Sequence, residues 1–404
     1  MSATFADALC QSSSLRLLTD TELDGGEAAK GIQSDFASGK FIGISGADAQ
    51  KAAQLRSLLG IGDRLGAVDV DGTEVFGLKK AGRSVEQIVI PRPVLPAGVA
   101  EDTLDGAHRA AEAIKMIESV EQPTVAARAA VGGGDPVDLF NQAHQYTSKV
   151  QWCLPVTNSS KQAINCYYQL ISKAQAVWVK DAAGSTYDYY FLIQYGVFAP
   201  GPGYIEDTTA RQGWYVTYYN LNAYPKDYLG NSGILMAQNS PGTTQGQENV
   251  TSSISETTGI SIGFFGDQGT ANINASVTIG TSKSYSIPDV KVANSSNSQG
   301  NNAEWSFEIP YVEGTLSFSA PVTMATNTFQ PVNMMLWQAD DTIRQDIEKK
   351  TKPKDTAAIG FKTDFSMQYV YSYHDDGPQY DTYQPTPQSI SFSVPLPPQQ
   401  KPPS

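Results

Sequence analysis

The chain has 404 residues, 40% of them hydrophobic, and a formal net charge of -13, enough apolar material for one to three packed domains. The acidic balance argues against a nucleic-acid partner, which needs clustered Lys and Arg, and against simple attraction to anionic lipid. No window reaches the roughly 18–20 apolar residues of a spanning helix. With only three His and no CxxC pair, the chain shows no catalytic triad, no metal cluster and no cofactor motif, so an enzyme is not expected.

Met1–Asp20 contains Asp7 and Gln11 and lacks the basic start and apolar run of a secretory leader. Export then implies a leader already removed or another route. Ser45–Leu59 has Ala52, Leu55 and Leu59 at helical spacing, with Gly60 where a C-terminal cap would sit. Ala67–Gly77 predicts a hairpin turning at Asp71-Gly72. Gln87–Ile90 predicts a strand stopped by Pro91. Asp105–Val120 predicts an amphipathic helix with Ala107, Ala110, Ala111, Ile114 and Ile117 on one face and His108 at the surface. These elements make residues 1–134 a small α+β N-terminal domain.

The composition then changes. All 20 Tyr and all 5 Trp lie beyond residue 134, while 31 of the first 134 residues are charged against 38 of the remaining 270. The seam is the Gly-rich run Ala130–Pro136, a flexible linker by composition. Residues 135–380 predict an all-β unit. Ala176–Val179, Tyr187–Tyr195, Gly213–Tyr219 and Phe365–Tyr373 are short aromatic and β-branched runs of the kind that build a sandwich. Cys153 and Cys166 flank a polar run, and two readings stay open: a small disulfide loop, or two independent thiols. His374-Asp375-Asp376 sits beside a Gly-Pro turn and reads as a solvated loop, not a metal site. The tail, 381–404, holds seven Pro in 24 residues, with Ser389–Val394 a candidate edge strand.

The segment that points to function is about 255–292. Ile260, Ile262 and Phe264 alternate with Ser261 and Gly263; Gly266-Asp267-Gln268-Gly269 is a natural turn; and Ala271, Ile273, Ala275, Val277 and Ile279 alternate with Asn272, Asn274, Ser276, Thr278 and Gly280. Asp267 is the only charge between Thr257 and Ser282. A membrane β-strand needs roughly 9–11 residues, apolar toward lipid and polar toward a water-filled lumen. The bare polar face is unusual for a soluble edge hairpin, which carries Lys or Glu against aggregation. The alternation therefore predicts a lipid face of Ile260, Ile262, Phe264, Ala271, Ile273, Ala275, Val277 and Ile279. The lumen face is Ser261, Asn272, Asn274, Ser276 and Thr278, with Asp267 at the tip. One hairpin cannot close a barrel, so several copies would have to contribute.

Ile273-Asn-Ala275-Ser-Val277-Thr-Ile279-Gly280, with Tyr285 and Pro288-Asp289-Val-Lys291, resembles the second stem strand of the leukocidin/hemolysin family of β-barrel pore-forming toxins. Thr258–Phe264 and the Gly-Asp turn fit the first. Glu304-Trp305-Ser-Phe307 looks like the strand returning to the sandwich, and Met334-Met335 and Phe365–Tyr371 resemble the last strands of the cap. The resemblance covers Gln142–Asp376. It implies a mainly β fold: a β-sandwich cap with an amphipathic stem hairpin, here preceded by the α+β domain. It implies a secreted monomer without cofactors whose partners are target-cell membrane lipids. It also implies a ring of about seven or eight copies, or a related second component.

Two departures stand out. The chain between Trp305 and Phe329 is short, and no counterpart of the family's headgroup-binding rim can be placed, so a rim would be rebuilt from Tyr311–Ala325. Tyr204, Trp214 and Tyr311 are the aromatics chosen for headgroup contact. The N-terminal domain is an addition, read either as a pro-segment removed near the Gly-rich linker or as a permanent accessory domain. A different reading of the whole chain is a non-catalytic carbohydrate-binding or adhesive sandwich, in which Tyr and Trp stack on sugars.

Overall fold

Residues 5–118 lay helices on both faces of a four-stranded ribbon. The computed structural model describes residues 5–61, 68–70, 72–81, 84–95, 106–118, 145–157, 163–180, 184–199, 213–245, 248–253, 257–262, 275–278, 284–297, 300–308, 332–353, 355–374, 378–384 and 387–399. In chain order the first part runs α1 (Phe5–Leu9), β1 (Leu15–Leu18), α2 (Asp20–Leu23), α3 (Ala29–Ala37), β2 (Phe41–Ser45), α4 (Ala49–Leu58), β3 (Thr73–Ala81), β4 (Ser84–Pro91) and α5 (Gly106–Glu118). Local chemistry sets several ends. Thr19 and Glu22 form a reciprocal capping box at α2, and Asp48 accepts from the Lys51 amide at the start of α4. Gly60 takes φ +70 just past the end of α4, the cap position its sequence suggests.

Two apolar layers flank this ribbon. Phe5, Leu9, Phe41, Val75, Ile88, Met116 and Ile117 pack on one side. Ile32, Phe36, Ile42, Leu55, Phe76, Leu78 and Val89 pack on the other. A Cβ at Gly77 would collide with the Phe41 ring, so glycine there admits the aromatic. Two expectations are corrected. The buried face of α5 is Gly106, Arg109, Ala110, Ala113, Met116 and Ile117, rotated from the predicted stripe because Arg109 turns inward to pair with Glu74 over the Phe5 ring; His108 is half-buried. The chain does turn at Gly72, which takes φ +71 while the Thr73 amide donates to the Val70 carbonyl at 3.0 Å, but the flanking residues do not pair as a hairpin. Val68 bridges to Phe392 near the far end of the chain, and β3 forms its hairpin with β4 instead.

The remaining strands are β5 (Gln145–Thr157), β6 (Ala163–Lys180), β7 (Thr186–Ala199), β8 (Gly213–Pro225), β9 (Ile234–Ser240), β10 (Glu248–Ser253), β11 (Thr257–Ile262), β12 (Ala275–Thr278), β13 (Ser284–Asn294), β14 (Ala303–Glu308), β15 (Val332–Asp340), β16 (Ala358–His374), β17 (Pro378–Tyr383) and β18 (Gln388–Pro395). One helix, α6 (Asp341–Lys350), follows β15. The aromatic runs read as short strands are the cores of strands of 13 to 18 residues. The fold is mainly β. One sheet has nine strands in the order β1-β2-β3-β4-β5-β6-β7-β15-β9; the other runs β10-β13-β14-β8-β16-β17, with β18 also on β16. The N-terminal ribbon thus continues into the larger sheet through parallel pairing of β4 with β5, from Glu86↔Thr147 to Val89↔Val150.

Aromatic side chains fill the space between the two sheets. Trp152 and Tyr168 each lie 4.5 Å, centroid to centroid, from Phe365, and the Tyr168 and Tyr219 hydroxyls hydrogen-bond across the gap. Burial pushes both phenols' pKa values up. Gln194, fully buried, donates to Thr363 of the facing sheet at 2.7 Å and to Ser172 at 3.1 Å. Such buried polar links help fix how two sheets sit together, here through the Gln194 Nε2 alone, since its Oε1 has no partner among the described residues. α6 closes one end: Arg344 donates twice to Asp188, at 2.7 and 3.0 Å, and to the Pro397 carbonyl at 2.7 Å.

The cysteine register bears on the open disulfide question. Cys153 sits opposite Tyr167 and Cys166 opposite Leu154. A one-residue offset assigns the two positions to opposite faces of the sheet, which speaks against the bridge. The 134/135 seam lies outside the described residues.

Candidate membrane-inserting hairpin

The hairpin leaves the sandwich between β9 and β14. β10 pairs with β13, and β11 pairs with β12. The two ladders share one register apart from a shift at one pair in each, Glu248↔Val290 and Thr257↔Thr278. From Val250 to Ile262 is twelve residues forward, and from their partners Ile287 to Ala275 is twelve back. The two pieces therefore belong to one antiparallel hairpin whose described pairing reaches from Glu248 and Val290 to Ile262 and Ala275.

Directly opposed residues share a face, so the register sorts the arms. Val250 opposes Ile287, and Ile262 opposes Ala275. Thr251 opposes Ser286, Ser253 opposes Ser284, Thr257 opposes Thr278, and Ser261 opposes Ser276. These pairs match apolar with apolar and hydroxyl with hydroxyl; Ser252 opposite Tyr285 and Glu248 opposite Val290, in the β10–β13 ladder, do not. The polar set begins earlier than the sequence boundary of 255, at Thr251. Its continuation through β10 was missed because Val250–Ser253 alone is too short to show a period.

The foot of the hairpin is bolted to the sandwich. Val292 and Asn294 of β13 donate their amides to Thr244 and Thr243 at 2.9 Å each, and the Thr244 amide donates to the Val292 carbonyl at 2.9 Å. The Asn294 side-chain amide donates to Asn239 at 2.6 Å and to the Pro241 carbonyl at 2.7 Å. Trp305, fully buried, donates its indole N–H to the same carbonyl at 2.9 Å. Lys291 pairs with Glu308 at 2.8 Å, and that hydrogen bond holds the ammonium pKa up. These anchors were not legible as a site; only Lys291 and Trp305 stood out in the sequence, as parts of the resemblance.

Of the predicted lipid-face residues, Ile260 and Ile262 are on β11 and Ala275 and Val277 on β12; of the lumen residues, Ser261 is on β11 and Ser276 and Thr278 on β12. Phe264, Asp267, Ala271, Asn272, Ile273, Asn274 and Ile279 lie outside the described residues, as do Tyr204 and Tyr311. Trp214 falls on β8 opposite Tyr371. Among the described residues no three His, Cys, Asp or Glu side chains gather as a metal site, and no helix is long and apolar enough to cross a membrane.

Solved structures to which the chain is similar include two toxins and a pore-forming protein. Clostridium perfringens delta-toxin is 15% identical, with 62% of this chain and 89% of that one covered and a TM-score of 0.32. A pore-forming protein is 13% identical over 62% of this chain and 90% of its own, with a TM-score of 0.30. The Clostridium perfringens NetB toxin in its membrane-inserted form is 11% identical over 62% and 95%, with a TM-score of 0.26. Identities and scores this low describe a partial likeness of shape. No family model matches the chain, and no curated protein matches it.

Proposed function

We propose that this protein is a pore-forming toxin: a secreted monomer that assembles on a target membrane, each copy contributing one hairpin to a shared β-barrel. The observation that carries the reading is the hairpin register, in which Ile262 opposes Ala275 while Ser261 opposes Ser276. That sorting suits lipid outside and water inside, and closure among several copies satisfies every backbone group. No chemistry is required, and no cofactor. Asp267 leads at the tip. Lumen residues Ser261, Asn272, Asn274, Ser276 and Thr278 give a nearly neutral channel, with a slight cation preference from a ring of Asp267. Tyr204, Trp214 and Tyr311 supply headgroup contacts. Residues 1–134 act as a pro-segment in this scheme.

Dye release from liposomes tests the reading, with a variant lacking Phe264–Ala271 and checked by circular dichroism as the control. Release by the intact chain and none by the folded deletion is expected. Equal release by both removes the hairpin from the mechanism. One observation favours the carbohydrate-binding reading: an open cleft of ≈ 210 Å³ lined by Leu221, Phe365 and Pro387 beside polar residues, where Asn222 is flanked in register by Glu304 and Asp364. Glycan capture without any dye release would favour that reading.

A further inference from the structure

We propose that residues 5–118 are a docked partner of the sandwich, held by their own interface and not by the connecting chain, so that cutting the connection between Glu118 and Gln145 leaves them bound on the edge of β5. The composition break suggests two bodies joined by a flexible linker. The pairing tells against that picture, since β4 lies parallel to β5 over four residue pairs. A sheet edge is a row of unpaired N–H and C=O groups that readily takes another strand, and β4 occupies this one.

The side chains reinforce it. Lys149 of β5 is fully buried, with its Nζ 2.9 Å from the Glu86 carboxylate of β4. Lys79 stands opposite Glu86 on β3, and burial lowers its pKa. Arg56 donates to Gln87 of β4 at 3.2 Å. A second contact reaches the other sheet: Val68 bridges Phe392 of β18, and the Asp69 amide donates to the Ser391 carbonyl at 2.9 Å. The N-terminal unit thus straddles the open side of the sandwich and touches both sheets. The core runs through without a break, Val68, Phe76, Leu78 and Val89 belonging to one cluster with Val150, Trp152 and Phe392. Under the pore-forming reading, on which this last step rests, proteolysis in the connection does not free the β5 edge. Release of β4 is a separate event.

The test is to insert a site-specific protease sequence at Gly132–Gly134, cut the folded chain, and follow the pieces by gel filtration and by hydrogen exchange at Thr147–Val150. Co-elution at the uncut volume with those amides still protected is expected. Separation on cutting overturns the proposal. Glu86→Ala strands the buried Lys149 ammonium and should loosen the cut pieces by about a hundredfold. Should that variant not fold uncut, Val68→Ala weakens the β18 contact alone, with about a tenfold loss of retention expected. Retention unchanged in the variants would overturn this interface as the holding element. Dye release is read in parallel: its absence in every form counts against the pore reading while leaving the docking result intact.

Discussion

Asn301 shows how much one side chain can hold. It is fully buried with φ +47, and its amide donates to the carbonyls of Tyr228, Asn231 and Ile234 at 2.7, 3.1 and 3.1 Å while accepting from Gly230 at 3.1 Å. Asn tolerates the left-handed region better than most residues. Asn301→Ala should cost about 3 kcal/mol, from orphaned carbonyls and backbone strain together. Asn301→Gly should cost less, since it relieves φ but not the carbonyls. Thermal unfolding of the two variants checks the order. Asp188 carries the pH dependence. Burial lifts its carboxyl to about 6, against the hydrogen bond and charge of Arg344. An acid whose folded pKa lies above its unfolded value holds its proton more tightly when folded. Its contribution to stability therefore grows as pH falls from about 6 toward 4. Asp188→Asn should flatten that part of the stability profile, measured by denaturation across the range, while above pH about 6 it loses the charge opposite Arg344 and lowers stability. Neither residue was legible in the sequence, because each acts through partners far along the chain.

Elements were legible where their signals are local. Asp48 and Gly60 frame α4 through their own backbone neighbours. Period-2 alternation marked the hairpin because side chains in a strand alternate faces whatever lies next to them. Asp71-Gly72 misled for the converse reason: a turn signal does not say what the flanking residues pair with, and Val68 pairs with Phe392. Strand lengths were underread because polar residues inside long strands, such as Ser172 and Gln175 in β6, resemble breaks. At this scale the account predicts an asymmetry between neighbours in β11. Ile262→Asp puts a charge toward lipid, at a cost of a few kcal/mol per subunit (about 2), and should reduce dye release at least about tenfold. Ser261→Asp puts it toward water and should keep release while shifting the reversal potential toward cations. Single-channel recording beside dye release reads both, and equal loss in the two variants would count against a two-faced hairpin.

For the whole molecule, the composition break near residue 134 gave no hint that the parts on either side of it share a sheet. The β4–β5 pairing joins residues about sixty positions apart, from Glu86 to Thr147, and local pattern carries no record of such pairings. The sandwich, its continuous core and the bolted foot of the hairpin make a frame from which one element alternates between apolar and hydroxyl pairs over Thr257–Ile262 and Ala275–Thr278. The most direct test labels that element. Single cysteines at Ile260, Ser261, Ile262, Ala275, Ser276 and Val277, in a chain with Cys10, Cys153 and Cys166 replaced, would carry an environment-sensitive dye and be read with and without liposomes containing a chain-attached quencher. Quenching at 260, 262, 275 and 277 but not at 261 and 276 is the predicted result; the absence of any liposome-dependent change, or quenching without alternation, would contradict it.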